Sequence, residues 1–243
     1  MSELSHFEKH EVTPQPPIDF KSVLEKGEIE SAETLEGFFP VKIVTIKDDG
    51  KALFRPNGFR YEGLENREEL RTELELLVAS VDEVLEFGLV PPTVQRDLEN
   101  KRGTFQKFIE DAEIAEHHGV NWPEIVAESE IIKAAVFDFL INAQDRCRRN
   151  FLVNPDSKKI WLIDHDWIML IRSGHPSLIL TEAIKRNLTK LPREVVESIQ
   201  RLYDKTNFFS STSINPMVQE IFLGIKNRAE VLLERGQIPA INT

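Results

Sequence analysis

The spacing of apolar and polar positions assigns most elements of this chain. Residues 1 to about 20 contain Pro14, Pro16 and Pro17 with little periodicity and read as a loosely held tail. Between Phe38 and Pro56 the β-formers Val41, Ile43, Thr45 and Ile46 precede an Asp48-Asp49-Gly50 turn signal. Ala52-Leu53-Phe54 then reads as the returning strand of a hairpin. Asn66 with Glu69 has the form of a capping box, and Leu70, Leu74, Leu77, Val81 and Val84 keep amphipathic-helix spacing up to Gly88, a C′ glycine. Val90-Pro91-Pro92-Thr93-Val94 must be extended, because proline disfavours helix for itself and its predecessor. Phe105 to Ile109 predicts another short strand.

The second half is patterned for helices. Asn121-Trp122-Pro123-Glu124 resembles a helix start, and Ile125, Ile132, Val136, Phe139 and Leu140 carry a core face to about Asn142. A polar interval, Gln144 to Asn150, leads into Phe151-Leu152-Val153. Asn154-Pro155-Asp156 turns the chain, and Ile160-Trp161-Leu162-Ile163 pairs back as a hairpin. Helices near 193–204 and 215–234 follow, the second opened by Asn215-Pro216. A sheet-rich first half and a helix-rich second half predict an α+β chain of two lobes, divided near residue 110.

Composition narrows the class. The 243 residues carry 30 Lys plus Arg against 41 Asp plus Glu, a formal net charge of −11. That acidity argues against broad nucleic-acid binding. The longest apolar stretch, Ile131 to Leu140, is broken by Lys133 and Asp138 and predicts no membrane span. No charged-then-apolar leader opens the chain, and the single cysteine, Cys147, excludes an intrachain disulfide or a Cys-cluster zinc site. The expectation is a cytoplasmic protein.

The informative chemistry lies in Asp145-Arg-Cys-Arg-Arg-Asn150 and in Asp164-His165-Asp166 at the end of the next hairpin. Magnesium-dependent phosphoryl transfer needs one carboxylate to align the acceptor, oxygen ligands for the metal, and cations to balance charge. Protein kinases separate the first carboxylate from a metal-binding Asn by four residues, as Asp145 and Asn150 are separated here, and place a metal-binding Asp after the following hairpin. P-loop, GxGxxG, GxSxG and HExxH signatures are missing. His117 and His118 are adjacent and diverge on a helix, and Trp122, Phe137 and Phe139 sit at core positions.

On these residues the segment FDFLINAQDRCRRNFLV…KIWLIDHDWIML resembles the catalytic segment of the phosphatidylinositol 3-/4-kinase-like group, including its small bacterial members and, more distantly, HipA-type kinases. Ala52-Leu53-Phe54-Arg55-Pro56 is similar to that group's F-K-P strand, and Gly88-Leu89-Val90-Pro91-Pro92-Thr93 to its G-x-x-V-P-P-T connection. Arg102-Gly103-Thr104-Phe105-Gln106-Lys107-Phe108 is similar to its G-S-x-Q-x-F strand. The resemblance spans roughly residues 37 to 170. It implies a protein-kinase-like bilobal fold: a tail over 1–20, a small mixed-sheet N-lobe with one main helix over 21–110, and a helical C-lobe over 111–243. It implies ATP and Mg²⁺ as cofactors and an unidentified hydroxyl acceptor, with a protein or small molecule favoured over a lipid.

Roles follow from the same resemblance. Asp145 would be the catalytic base, with Arg146 orienting it or balancing phosphate charge. Asn150 and Asp164 would hold magnesium, and Asp166 would add a metal-bound water or lie on the surface. Gly37, with Ser31 and Thr34 nearby, would belong to the phosphate-covering loop. Adenine would lie against Gln106 to Glu110, bonded to backbone at Ile109 or its neighbours. Three departures stand out. The family's strand lysine is Arg55, with Lys51 the nearest alternative. Its helix partner is Glu75 by the family count, which is preferred, or Glu73 by periodicity. Cys147 replaces the loop histidine, beside Arg148 and Arg149. These departures leave open a nucleotide-binding pseudokinase or a kinase-fold nucleotidyl (AMP) transferase.

Overall fold

A computed structural model describes residues 19–35, 41–47, 50–57, 68–165, 177–212 and 216–240. Gly37, Asn66 and Asp166 lie outside the described residues. So does most of the expected tail, of which Phe20 opens a helix. Asp19 caps α1 (Phe20–Lys26), its side chain accepting from the Ser22 N–H at 3.4 Å.

The first lobe is built on a five-stranded sheet of order β1-β2-β3-β5-β4, antiparallel at every pairing. Its strands are β1 (Ile29–Thr34), β2 (Lys42–Ile46), β3 (Gly50–Pro56), β4 (Thr93–Leu98) and β5 (Lys101–Lys107). The two-residue period divides the sheet cleanly. Val44, Ile46, Ala52, Phe54, Val94, Leu98 and Phe105 join Leu24 of α1 in a small core of their own. Arg96 holds α1 down by donating to the Leu24 and Gly27 carbonyls at 3.0 and 2.8 Å. Leu53, Arg55, Thr104 and Gln106 therefore point to the opposite face. Ser31 and Thr34 lie in β1 rather than in a loop, because that segment pairs with β2.

Helix α2 (Glu68–Leu85) crosses the lobes in its packing. Leu74, Leu77, Val78, Val81 and Leu85 belong to the same continuous core as the helices of the second lobe, separate from the core beneath the sheet. The helix ends earlier than Gly88: Glu86 takes the left-handed turn at φ 58°, its N–H still donating to Asp82 O at 2.8 Å. Gly88 (φ 67°) then lets Leu89 reach β8 (Lys159–Leu162), where the Leu162 N–H donates to Leu89 O at 2.8 Å.

After Lys107 the chain leaves the first sheet and enters a second, β6-β7-β8, at β6 (Glu113–Ile114). A 3₁₀ segment (Ala115–Glu124) occupies the stretch expected to open a helix. Its Trp122 is buried edge-on against Phe151 at 4.9 Å, and the Ala127 N–H is tied to Lys158 O, so α3 (Glu128–Ile141) starts only at Glu128. Asn142, at φ 51°, caps it. The hairpin of β7 (Phe151–Asn154) and β8 (Lys159–Leu162) follows as expected from sequence. Helices α4 (Leu178–Lys185), α5 (Arg193–Thr212) and α6 (Pro216–Arg235) complete the lobe, with α4 an element that periodicity did not reveal. Among the described residues no helix is long and apolar enough to cross a membrane.

Candidate active site

Five sequence-predicted residues converge between the lobes. Asp145 is exposed in the turn after α3, and Asn150 Nδ2 donates to its carbonyl at 2.7 Å and to its Oδ2 at 3.2 Å. Among the described residues the amide oxygen of Asn150 accepts no hydrogen bond. The β7–β8 ladder continues one pair further, the Ile163 N–H donating to Asn150 O at 3.1 Å, which sets Asp164 directly beyond that loop. Asp164 takes a left-handed conformation at φ 58°, a departure that Asp tolerates better than most residues and that turns the chain out of the strand.

From the other lobe, Arg55 of β3 reaches Asp164 across the junction and pairs with Glu75 of α2 on its own side. Its Nη1 lies 3.2 Å from Glu75 Oε1 and 3.5 Å from Asp164 Oδ1. A guanidinium fork can serve two carboxylates at once, which the point charge of a lysine does less well. Gly103 makes room for this strand: a Cβ there would run into the Arg55 carbonyl and come within 2.6 Å of the Phe54 ring. Of the two candidate helix glutamates, Glu75 is buried and paired while Glu73 is exposed. Glu75 Oε1 also accepts the backbone N–H of His165 at 3.0 Å, a bond joining the lobes. Burial pushes the Glu75 carboxyl up, Arg55 opposes this, and the nearby charge of Asp164 adds to it.

Arg146 is corrected in one respect. It does not balance charge in the cleft, because its guanidinium is turned into the second lobe with its side chain 1% exposed. Nε donates to both oxygens of Asp138 at 3.1 and 3.2 Å, and Nη1 to the carbonyls of Asn150 and Ile163 at 2.6 and 2.8 Å. Nη2 lies 3.1 Å from His165 Nδ1. One side chain thus ties α3, the 145–150 loop, the end of β8 and His165 into a single unit. Burial raises the Asp138 carboxyl, and Arg146 with the Ser177 hydroxyl, which donates to Oδ2 at 2.6 Å, draws it back.

Gln106 and Ile109 differ in what they offer. Gln106 is buried on the sheet face shared with Leu53, and its amide donates to Thr93 Oγ1 at 3.1 Å. Phe108 N bonds to Lys51 O at 3.0 Å, and the next residue, Ile109, has no backbone partner among the described residues. Lys51 is exposed near the start of its strand. Cys147 is half-buried and Arg149 exposed beside Asp145.

Asp138, Ser177 and Arg71 were not found from the sequence, and His165 was singled out there only as part of its motif, without a role. Asp138 had one signal, a carboxylate amid an otherwise apolar helix face. Arg71 had another, its place one helical turn before Glu75. Its Nη2 lies 3.6 Å from Asp164 Oδ1.

A divalent cation fits this arrangement. Asp164 Oδ1 is buried and accepts no hydrogen bond, while the side chain as a whole is 38% exposed. Among the described residues no three His, Cys, Asp or Glu side chains form a closed cation site. Magnesium is commonly held by one or two protein groups plus phosphate oxygens and water, which Asp164 and Asn150 match.

No family model matches the sequence, and no curated protein does. Solved structures do. The Golgi casein kinase with Mn/ADP bound is 15% identical, with a TM-score of 0.57 over 89% of this chain and 74% of that one. A second structure of the Golgi casein kinase is 14% identical, with a TM-score of 0.54 over 89% of this chain and 76% of that one. The Helicobacter pylori proinflammatory kinase CtkA is 12% identical, with a TM-score of 0.52 over 88% of this chain and 96% of that one. At such identities the likeness is one of architecture: this chain has the bilobal α+β fold of a kinase.

Proposed function

We propose that this chain is an ATP- and magnesium-dependent phosphotransferase that moves the γ-phosphoryl group to a hydroxyl, of a protein or small molecule in preference to a lipid. The observation that carries the proposal is Arg55, paired with Glu75 of its own lobe, reaching Asp164 of the opposite lobe, beyond the loop in which Asn150 holds Asp145. The finer placement in the phosphatidylinositol 3-/4-kinase-like, HipA-related group rests on the four sequence motifs.

In this reading Asp145 aligns the acceptor hydroxyl and takes its proton. Asn150 and Asp164 hold magnesium, which supplies neutralisation of the charge on the transferred group. Arg55 turns its fork to the nucleotide phosphates, and Ile109 offers backbone groups to adenine, which lies against Gln106. Arg146 acts through the loop it braces and is a positioning residue. Gly37 would cover the phosphates, and Asp166 would sit beside the metal.

A second reading, a nucleotide-binding pseudokinase, draws on the same Arg55. A guanidinium held between two carboxylates is less free to meet phosphate than a lysine. The test is turnover of ATP with Mg²⁺ by the full chain, compared with Asp145→Ala and Asp164→Ala. Loss of the general base is expected to cost about 10²- to 10⁴-fold. Equal residual turnover in all three proteins overturns the enzyme. Stabilisation by nucleotide without turnover establishes the pseudokinase, and an adenylyl rather than phosphoryl adduct by mass spectrometry establishes nucleotidyl transfer.

A further inference from the structure

We infer that Arg71 is a second phosphate-binding cation of this cleft, directed at the terminal phosphates of a nucleoside triphosphate. The inference rests on the nucleotide-site reading above. Arg71 precedes Glu75 by four residues on α2, so both project from one helix face. Its Nη2 stands 3.6 Å from Asp164 Oδ1, the same oxygen that Arg55 Nη1 approaches at 3.5 Å. Two guanidiniums from different elements of one lobe therefore converge on a single oxygen of the other.

Neither distance is that of a hydrogen bond, and Asp164 Oδ1 accepts none. The two forks are gathered at this point without being locked to it. Arg71 is 19% exposed, neither a surface charge nor a core one.

With Asp164 given over to a divalent cation, the fork of Arg71 is placed for phosphate. A divalent cation held by Asp164 would neutralise charge on the terminal phosphates, so a cation beside that carboxylate would meet those groups rather than the nucleoside.

The experiment is titration calorimetry of the full chain, wild type and Arg71→Met, with Mg·AMP-PNP, Mg·ADP and adenosine. Losing a charge-assisted hydrogen bond is expected to weaken AMP-PNP by about tenfold or more, ADP by less, and adenosine not at all. Unchanged or tighter AMP-PNP binding by Arg71→Met makes Arg71 a mere counter-ion of Asp164 and overturns the inference. A wild type that binds adenosine and AMP-PNP equally also overturns it. A wild type that binds no nucleotide instead overturns the nucleotide reading itself. If Arg71→Met does not fold, Arg71→Gln is read by the same ratio of AMP-PNP to adenosine affinity.

Discussion

Nη2 of Arg146 lies 3.1 Å from Nδ1 of His165, and that contact fixes the state of the imidazole. Arginine only donates, so Nδ1 must accept, and the ring proton sits on Nε2, which faces Leu162 O at 3.2 Å. Burial, and then the charge of Arg146, hold His165 well below the usual histidine range. A residue that reads as a third titratable group beside Asp164 and Asp166 is thus a neutral structural link. It passes its backbone N–H to Glu75 and its ring to Arg146.

His165 is therefore expected to destabilise the fold in acid. The unfolded chain takes up a proton below about pH 6.5 and the folded chain does not, so stability falls as pH drops through that value, by up to about 1.4 kcal/mol per pH unit. His165→Leu leaves a buried guanidinium donor unsatisfied, which costs about 1–3 kcal/mol at neutral pH. Urea unfolding of both proteins between pH 5 and 8 measures this. A gap that fails to narrow towards acid contradicts the neutral assignment.

Glu75→Gln separates charge from shape at the lobe junction. Glutamine keeps an oxygen for the His165 N–H but no longer neutralises Arg55, which then leans on Asp164. Turnover at low Mg²⁺ is expected to fall by about tenfold or more, since one lost ion pair in a partly buried site is worth at least that factor. Higher Mg²⁺ recovers part of it. Global stability changes little, because the variant no longer has to bury a carboxylate. A magnesium dependence equal to that of the wild type rules out this coupling.

Asp82 offers a test distant from the catalytic groups. One of its oxygens accepts the Val90 N–H at 2.9 Å, the other is buried with no hydrogen bond, and burial lifts the carboxyl to about 6. The unfolded group titrates near 3.8, so the folded state favours the protonated form, and its stability is lost as pH rises through about 6. Asp82→Asn keeps the acceptor and abolishes the charge. It is expected to stabilise the protein by about 2–3 kcal/mol above pH 7 and to give nothing below pH 4. A constant increment across that range, in thermal or urea melts, refutes it.

The sheet-rich first half, the helix-rich second half and the β7–β8 hairpin were legible from local periodicity and turn chemistry, which are short-range along the chain. The candidate group Arg55, Asp145, Asn150 and Asp164 was legible from motifs and their resemblance to a kinase family, which also marked a guanidinium where that family has a lysine. Which charges neutralise one another was settled by tertiary packing. Glu75 and His165 are 90 residues apart and Asp138 and Ser177 are 39, so no spacing rule links them. The cost of burying a carboxylate or guanidinium depends on what packs over it, which turned Arg146 inward, selected Glu75 over Glu73 and brought Arg71 to Asp164. Helix α2 is the clearest case. Its apolar stripe was legible, but that the stripe would join the second lobe's core, and so carry Glu75 and Arg71 to the junction, was settled by the surfaces available to cover it.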